Sequence, residues 1–222
     1  LTAETVGRME RLAPVIERGA FSVAYQPICD MQTHRPHHFE ALIRFDPAVM
    51  PGSIIDIIAF AEEVGLIPSL DLAMCQKVLG ELERRNKHGH RYMIGVNISA
   101  TSLSSPEFLA ELLALLDRNA AIRDRLVFEV TESAKVPDLT RLNDAVQKLR
   151  QAGHILCLDD LGAGEAGFRY LSRLDVDVAK IDGQYVRAAT TSPKGRALLR
   201  AMVQACHDLG IMTIGEVIED EA

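Results

Sequence analysis

Seven short runs rich in Val, Ile, Leu and Phe alternate along this chain with amphipathic stretches of helical period, and that rhythm narrows the accessible folds more than any other feature. The runs predict strands at Phe21–Ile28, His38–Phe45, Tyr92–Ile98, Leu126–Thr131, His154–Asp159, Val176–Ile181 and Met212–Glu216. Helical spacing predicts helices at Ala3–Arg18, Ile54–Val64, Asp71–Arg85, Pro106–Asn119, Asp138–Ala152 and Lys194–Leu209. Gly153 and Gly210 each follow a helix and precede a strand, where a left-handed cap is wanted. Strands separated by helices of this length imply a mainly parallel sheet, and seven approach the eight of a closed (β/α) barrel. One connection breaks the rhythm. The stretch "CDMQTHRPH" is too short for a crossover helix, so the first two strands are expected to pair as an antiparallel hairpin. The expected fold is α/β, a modified (β/α)8 TIM-like barrel with an antiparallel first strand and its eighth strand outside this chain. A single domain is expected over residues 1–222, with its C-terminal end incomplete.

Composition excludes several classes of function. Hydrophobic content of 48% with mixed charge is that of a folded domain. No apolar run reaches the roughly 18 residues of a membrane span, and no secretory signal pattern opens the chain. A net charge of −7 argues against broad binding to DNA or RNA. It suits a site that holds divalent cations and meets an anionic ligand through them. Cys29, Cys75, Cys157 and Cys206 lie scattered in apolar segments without metal-ligand spacing and read as buried thiols of a reducing cytosol.

The strand "HFEALIRF" carries two charges. Alternation puts Glu40, Leu42 and Arg44 on one face and Phe39, Ala41, Ile43 and Phe45 on the other. Later strands end on similar residues: Asn97 and Ser99 in "GVNIS", Glu129 in "VFEVTES", Asp159 and Asp160 in "LCLDDLG", Lys180 in "VAKID" and Glu216 in "TIGEVIE". A lone Asp after a strand is ordinarily a cap or turn former. Six strands with a polar group at equivalent depth point instead to one site on the rim where barrel active sites are built. Carboxylates and a carboxamide without Cys or His make a hard oxygen set, suited to Mg²⁺ or Mn²⁺ rather than zinc. Two such ions about 3.5–4 Å apart fit phosphoryl hydrolysis. Lys180 would orient or activate the attacking water and balance charge. Arg44 suits a phosphate oxygen or, alternatively, an ion pair with a barrel carboxylate.

These residues resemble the EAL domain family, whose members open the bacterial second messenger cyclic di-GMP to linear pGpG. The resemblance runs in order through "FSVAYQPICD", "FEALIRF", "AEEVGLI", "GVNISATSL", "FEVTES", "LDDLGAG", "YLSRLDVDVAKIDGQYV" and "GEVIEDEA". It implies metal ligation by Glu40, Asn97, Glu129 and Asp159, with Asp160 serving a second ion and Glu216 also at the metal centre. It implies that Lys180 contacts the catalytic water, and places Glu40, Lys180 and Glu216 at the catalytic centre. Gln26, Leu42 and Arg44 are implied on the substrate side, and Glu132 and Glu219 as supports of flanking loops.

The chain departs from the family pattern in two places. "LGAGEAG" (Leu161–Gly167) lacks the family's hydroxyl residues, which predicts a looser loop, and Val217 stands where the pattern has glycine. The distal Gln-Gly motif is not in this sequence. Two functions therefore stay open: a phosphodiesterase using two Mg²⁺ or Mn²⁺ ions, or a weak or inactive receptor that binds cyclic di-GMP and signals to a protein partner. The resemblance further implies a bacterial cytoplasmic setting, homodimerisation, and linkage to other signalling or membrane domains outside this chain. Ala3–Arg18 reads as a first helix packed on the barrel, or as a coupling helix to an upstream domain. "RRNKHGHR" (Arg84–Arg91) reads as a solvated loop.

Overall fold

Local hydrogen bonds close the short connection. Asp30 Oδ1 accepts from the amides of Gln32 (3.1 Å) and Thr33 (2.7 Å) and from the Thr33 hydroxyl (2.9 Å), and His34 takes a left-handed φ of 54°. In this computed structural model, which describes residues 2–131, 138–164 and 167–218, the chain divides after Val127 into two units.

The first unit runs α1 (Ala3–Glu17), β1 (Ser22–Cys29), β2 (Pro36–Arg44), α2 (Ile54–Glu63), α3 (Ile67–Lys87), β3 (Ile94–Ile98), α4 (Ala100–Leu103) and α5 (Pro106–Arg118). β1 and β2 pair antiparallel as expected, with Ser22 opposite Arg44, Ala24 opposite Leu42 and Gln26 opposite Glu40. β3 adds to β2 in parallel, Glu40 in register with Gly95. Ala41 and Ile43 are buried while Arg44 is exposed, so the alternation read from "HFEALIRF" holds. α1 buries Leu12, Val15 and Ile16 and packs against α3, as a first helix on the domain should. Ser53 and Ser105 cap α2 and α5 by accepting the amides of Asp56 and Phe108.

α3 is longer than its periodicity suggested and absorbs the start of "RRNKHGHR". Arg84 and Arg85 pair with Glu81 at 2.7 and 2.6 Å, three and four residues away, and basic residues in a last turn complement the helix dipole. Arg84–Lys87 are thus helical rather than loop. A second correction concerns the thiols: Cys75, Cys157 and Cys206 are buried, but Cys29 is exposed at the end of β1, beside a register shift.

The second unit holds most of β4 (Leu126–Thr131), then α6 (Leu139–Gln151), β5 (Ile155–Leu161), α7 (Gly167–Leu171), β6 (Val178–Ile181), α8 (Gly183–Thr191), α9 (Pro193–Asp208) and β7 (Met212–Gly215). The strands lie in the order β4-β5-β6-β7, and β6 pairs in parallel with both β5 and β7. Gly153 and Gly210 end α6 and α9 at φ 93° and 73°, as their positions predicted. The short α4, α7 and α8 carry too few turns to show a period and were not anticipated. Among the described residues no helix is long and apolar enough to cross a membrane.

α8 and α9 meet at Ser192, which ends one and caps the other through the Gly195 amide (2.9 Å). Gly195 lies so close to α8 that a Cβ there would overlap the Ala188 carbonyl. Gly195→Ala is therefore expected to lower unfolding free energy by about 1–3 kcal/mol, the cost of overpacking, in urea titrations. Wild-type stability would show that the two helices part freely.

Candidate metal centre and ligand face

Lys180 organises the second unit's polar residues. It is buried on β6 at 2% exposure, and its ammonium lies 2.7 Å from Asp159 Oδ1, 3.0 Å from Glu129 Oε2 and 3.1 Å from Glu216 Oε1. An ammonium has three N–H donors, and three carboxylates surround this one. Glu129 is fully buried in β4, Asp159 lies in β5, and Glu216 follows β7 with its amide bonded to Ile181 (3.2 Å).

Asp160 joins them through a backbone irregularity. Neighbouring residues of a regular strand face opposite ways, so Asp159 and Asp160 should diverge. The β5/β6 register shifts between Leu158 and Leu161, and Asp160 adopts φ 55°, a left-handed conformation that Asp tolerates better than most residues. This bulge turns both carboxylates inward. Oxygens of Asp159, Asp160 and Glu216 fall within 4.8 Å of one another.

One ammonium does not neutralise four carboxylates. The Glu216 carboxyl is pushed up to about 7, chiefly by burial, with Lys180 pulling it down and Asp159 and Asp160 adding repulsion. A divalent cation would relieve the same crowding.

In the first unit the face predicted for the hairpin is formed. Gln26 and Glu40, Ala24 and Leu42, and Ser22 and Arg44 are cross-strand pairs, and such partners share a face. Asn97 donates Nδ2–H to Glu40 Oε1 at 2.9 Å, leaving Asn97 Oδ1 buried without a hydrogen-bond partner among the described residues. An acceptor in that condition suits a cation. The Arg44 guanidinium donates to the Ile43 carbonyl (2.8 Å).

Ser99 has a different role from its neighbours. It caps α4 through the Thr101 amide (3.2 Å), its hydroxyl donates to Glu62 (3.1 Å), and its own amide donates to Asp71 Oδ2 (3.0 Å). Asp71 went unnoticed in the sequence. It sits on a helical pattern among apolar residues, and nothing local distinguishes it from a surface acid. Burial pushes its carboxyl up to about 7, against the hydrogen bond from the Ser99 amide. It anchors the backbone two residues beyond Asn97.

Both departures noted in the sequence have structural counterparts. Gly162 (φ 97°) has its carbonyl held by Gln184 Nε2 (3.2 Å) and Tyr185 Oη (3.4 Å), so α8 supplies hydrogen bonds to a loop without hydroxyls of its own. Val217 takes φ 56°, the conformation that explains a glycine preference at that position. Glu132 and Glu219, with Glu165 and Ala166 of the loop, lie outside the described residues.

A family model described as EAL domain matches residues 9–222. Among curated proteins, the chain is 29% identical over 214 residues to the cyclic di-GMP phosphodiesterase PdeB of Shewanella oneidensis, covering 95% of this chain and 25% of that protein. It is 26% identical over 222 residues to the cyclic di-GMP phosphodiesterase PdeF of Escherichia coli, covering 98% and 29%. The chain thus spans well under half the length of these relatives. Among solved structures, the FimX EAL domain of Xanthomonas citri in complex with c-diGMP superposes with a TM-score of 0.84 at 20% identity, covering 98% of this chain and 85% of that one. An EAL domain protein from Listeria monocytogenes gives 0.77 at 24%, covering 95% and 83%. These likenesses show the fold, the TIM-like α/β class with an antiparallel first strand that the sequence led us to expect.

Two substitutions probe the electrostatics. Lys180→Met leaves buried carboxylates without their cation and is expected to cost about 3–5 kcal/mol in chelator-treated protein, with part recovered on adding Mn²⁺. Unchanged stability in urea titrations would refute the pairing. Asp71 is protonated more readily in the folded than in the unfolded chain, where its value is 3.8, so its contribution is present below about pH 4 and is lost as pH rises to about 7. Relative to Asp71→Asn, the wild type should lose stability over that interval. A constant difference would show that the carboxyl titrates normally.

Proposed function

The chain belongs to the EAL domain family, and from that premise we propose that it is a divalent-metal-dependent phosphodiesterase domain that opens cyclic di-GMP to pGpG. The observation that carries this reading is the convergence of Glu129, Asp159 and Glu216 on buried Lys180, with Asp160 beside them. The names of the curated relatives, cyclic di-GMP phosphodiesterases, point the same way.

The donor set fits Mg²⁺ or Mn²⁺. It is all oxygen and its carboxylates outnumber the one ammonium, and in the first unit Asn97 Oδ1 has no hydrogen-bond partner among the described residues. Glu40, Asn97, Glu129 and Asp159 would hold one ion and Asp160 a second, with Glu216 also at the centre. A bound divalent ion supplies Lewis-acid polarisation of the phosphoryl oxygens and offsets charge developing on them. Lys180 holds the three carboxylates in place around it and would orient or activate the attacking water. On the ligand face, Arg44 takes a phosphate oxygen, with Gln26 and Leu42 lining the approach.

A receptor that binds cyclic di-GMP without efficient turnover is the second reading, favoured by Val217 at φ 56° beside Glu216. EAL domains of FimX and of Vibrio cholerae LapD are solved with c-di-GMP bound. Binding would then shift a conformational or oligomeric equilibrium by its differential affinity for the two states. Either reading includes the bacterial cytoplasm, homodimerisation, and a place within a longer signalling protein, membrane-tethered or not.

The test follows pGpG by chromatography with Mg²⁺ or Mn²⁺ while calorimetry measures cyclic di-GMP binding. The enzyme reading expects metal-dependent product that Glu40→Ala reduces by more than the roughly 10–100-fold typical of residues behind a metal ligand. Binding without product would replace it with the receptor, and neither would remove both.

A further inference from the structure

The first turn of α8 touches the residues that follow two separate carboxylates. From the end of β7 comes Val217, directly after Glu216. Its φ of 56° is a conformation that a β-branched residue keeps only when its surroundings impose it. The side chain sits against Gly183 so closely that a Cβ there would lie 2.6 Å from Val217 Cγ2 and 2.9 Å from its Cβ. From the end of β5 comes Gly162, two residues after Asp160. Its carbonyl receives the Gln184 and Tyr185 side chains, and a Cβ on Gly162 would lie 2.5 Å from Tyr185 Cε2. Neither contact leaves room for an added methyl group. Three consecutive residues of one helix thereby grip both strand ends.

We propose that Gly183, Gln184 and Tyr185 form a positioning clamp that fixes Glu216 and Asp160 relative to each other, with Val217 as the positioning residue on the β7 side. The functional consequence rests on the metal-dependent reading above; the contact geometry does not. Released from Gly183, Val217 would relax toward an extended or right-handed backbone. Because Glu216 precedes it, that relaxation would swing the Glu216 carboxylate off Lys180 and loosen its 3.2 Å amide bond to Ile181. Glycine at 217 would adopt φ 56° without strain. It would lose both the seat on Gly183 and the narrow backbone range, so Glu216 would sample more orientations.

Val217→Gly, Gly183→Ala and the double variant test the clamp in the whole chain, by thermal unfolding, hydrogen exchange at the Glu216 amide, and calorimetry with Mn²⁺. Val217→Gly is expected to melt no lower than wild type, yet to exchange faster at Glu216 and bind Mn²⁺ roughly tenfold more weakly, the low end for groups that orient metal ligands. A merely structural role would move stability and affinity together. Gly183→Ala should lower both, because its methyl drives into Val217, and Val217→Gly should suppress most of that melting penalty in the double variant. On the other arm, Tyr185→Phe should weaken Mn²⁺ binding; unchanged affinity would remove the β5 contact from the clamp. Wild-type exchange and Mn²⁺ affinity in Val217→Gly, or strict additivity in the double variant, would overturn the proposal. Should the wild type bind no Mn²⁺, the metal reading fails, while exchange and unfolding still decide the clamp.

Discussion

The buried contact of one ammonium with three carboxylates underlies everything else in the second unit. Glu129 and Lys180 are almost wholly out of water, and neither charge would be tolerated there alone. Held together, they force β4, β5, β6 and the end of β7 into a fixed relation, because each contributes a member of the cluster. The balance remains acidic. That residual negative charge suits a cation as well as a structural tie.

The strand ends that carry these groups are held from behind. Ser99 is pinned by Asp71 and Glu62, two residues beyond Asn97. The Gly162 carbonyl is held by two side chains of α8, two residues beyond Asp160. In both cases a polar contact to the backbone, rather than to the acidic side chain itself, limits how far that side chain can move. Precise placement at the end of a strand needs such support, since the ladder of hydrogen bonds stops there.

Much of this was legible in the chain itself. The hairpin followed from the length of "CDMQTHRPH", the inward face of β2 from strict alternation, and the helix ends at Gly153 and Gly210 from a left-handed requirement. The strand boundaries shifted by a residue or two because hydrogen bonding, not hydropathy, ends a strand. α8 escaped notice because it is short and only Gly183 on it is fully buried, leaving no strong apolar stripe to read. Asp71 escaped because an acid among apolar helical residues has the same local pattern whether or not a backbone amide waits opposite it.

Sequence alone determined which residues of β2 share a face and that β1 and β2 form a hairpin, since alternation and connection length are local rules. It also determined the chemical character of the site, because the residue types at successive strand ends are visible in order. Tertiary structure decided which charges meet. The bulge that turns Asp159 and Asp160 the same way, the three acids around Lys180, and the seat of Val217 on Gly183 all depend on distances between segments far apart in the chain. Local propensity carries no information about such distances, and burial changes the energy of a charge only once they are set.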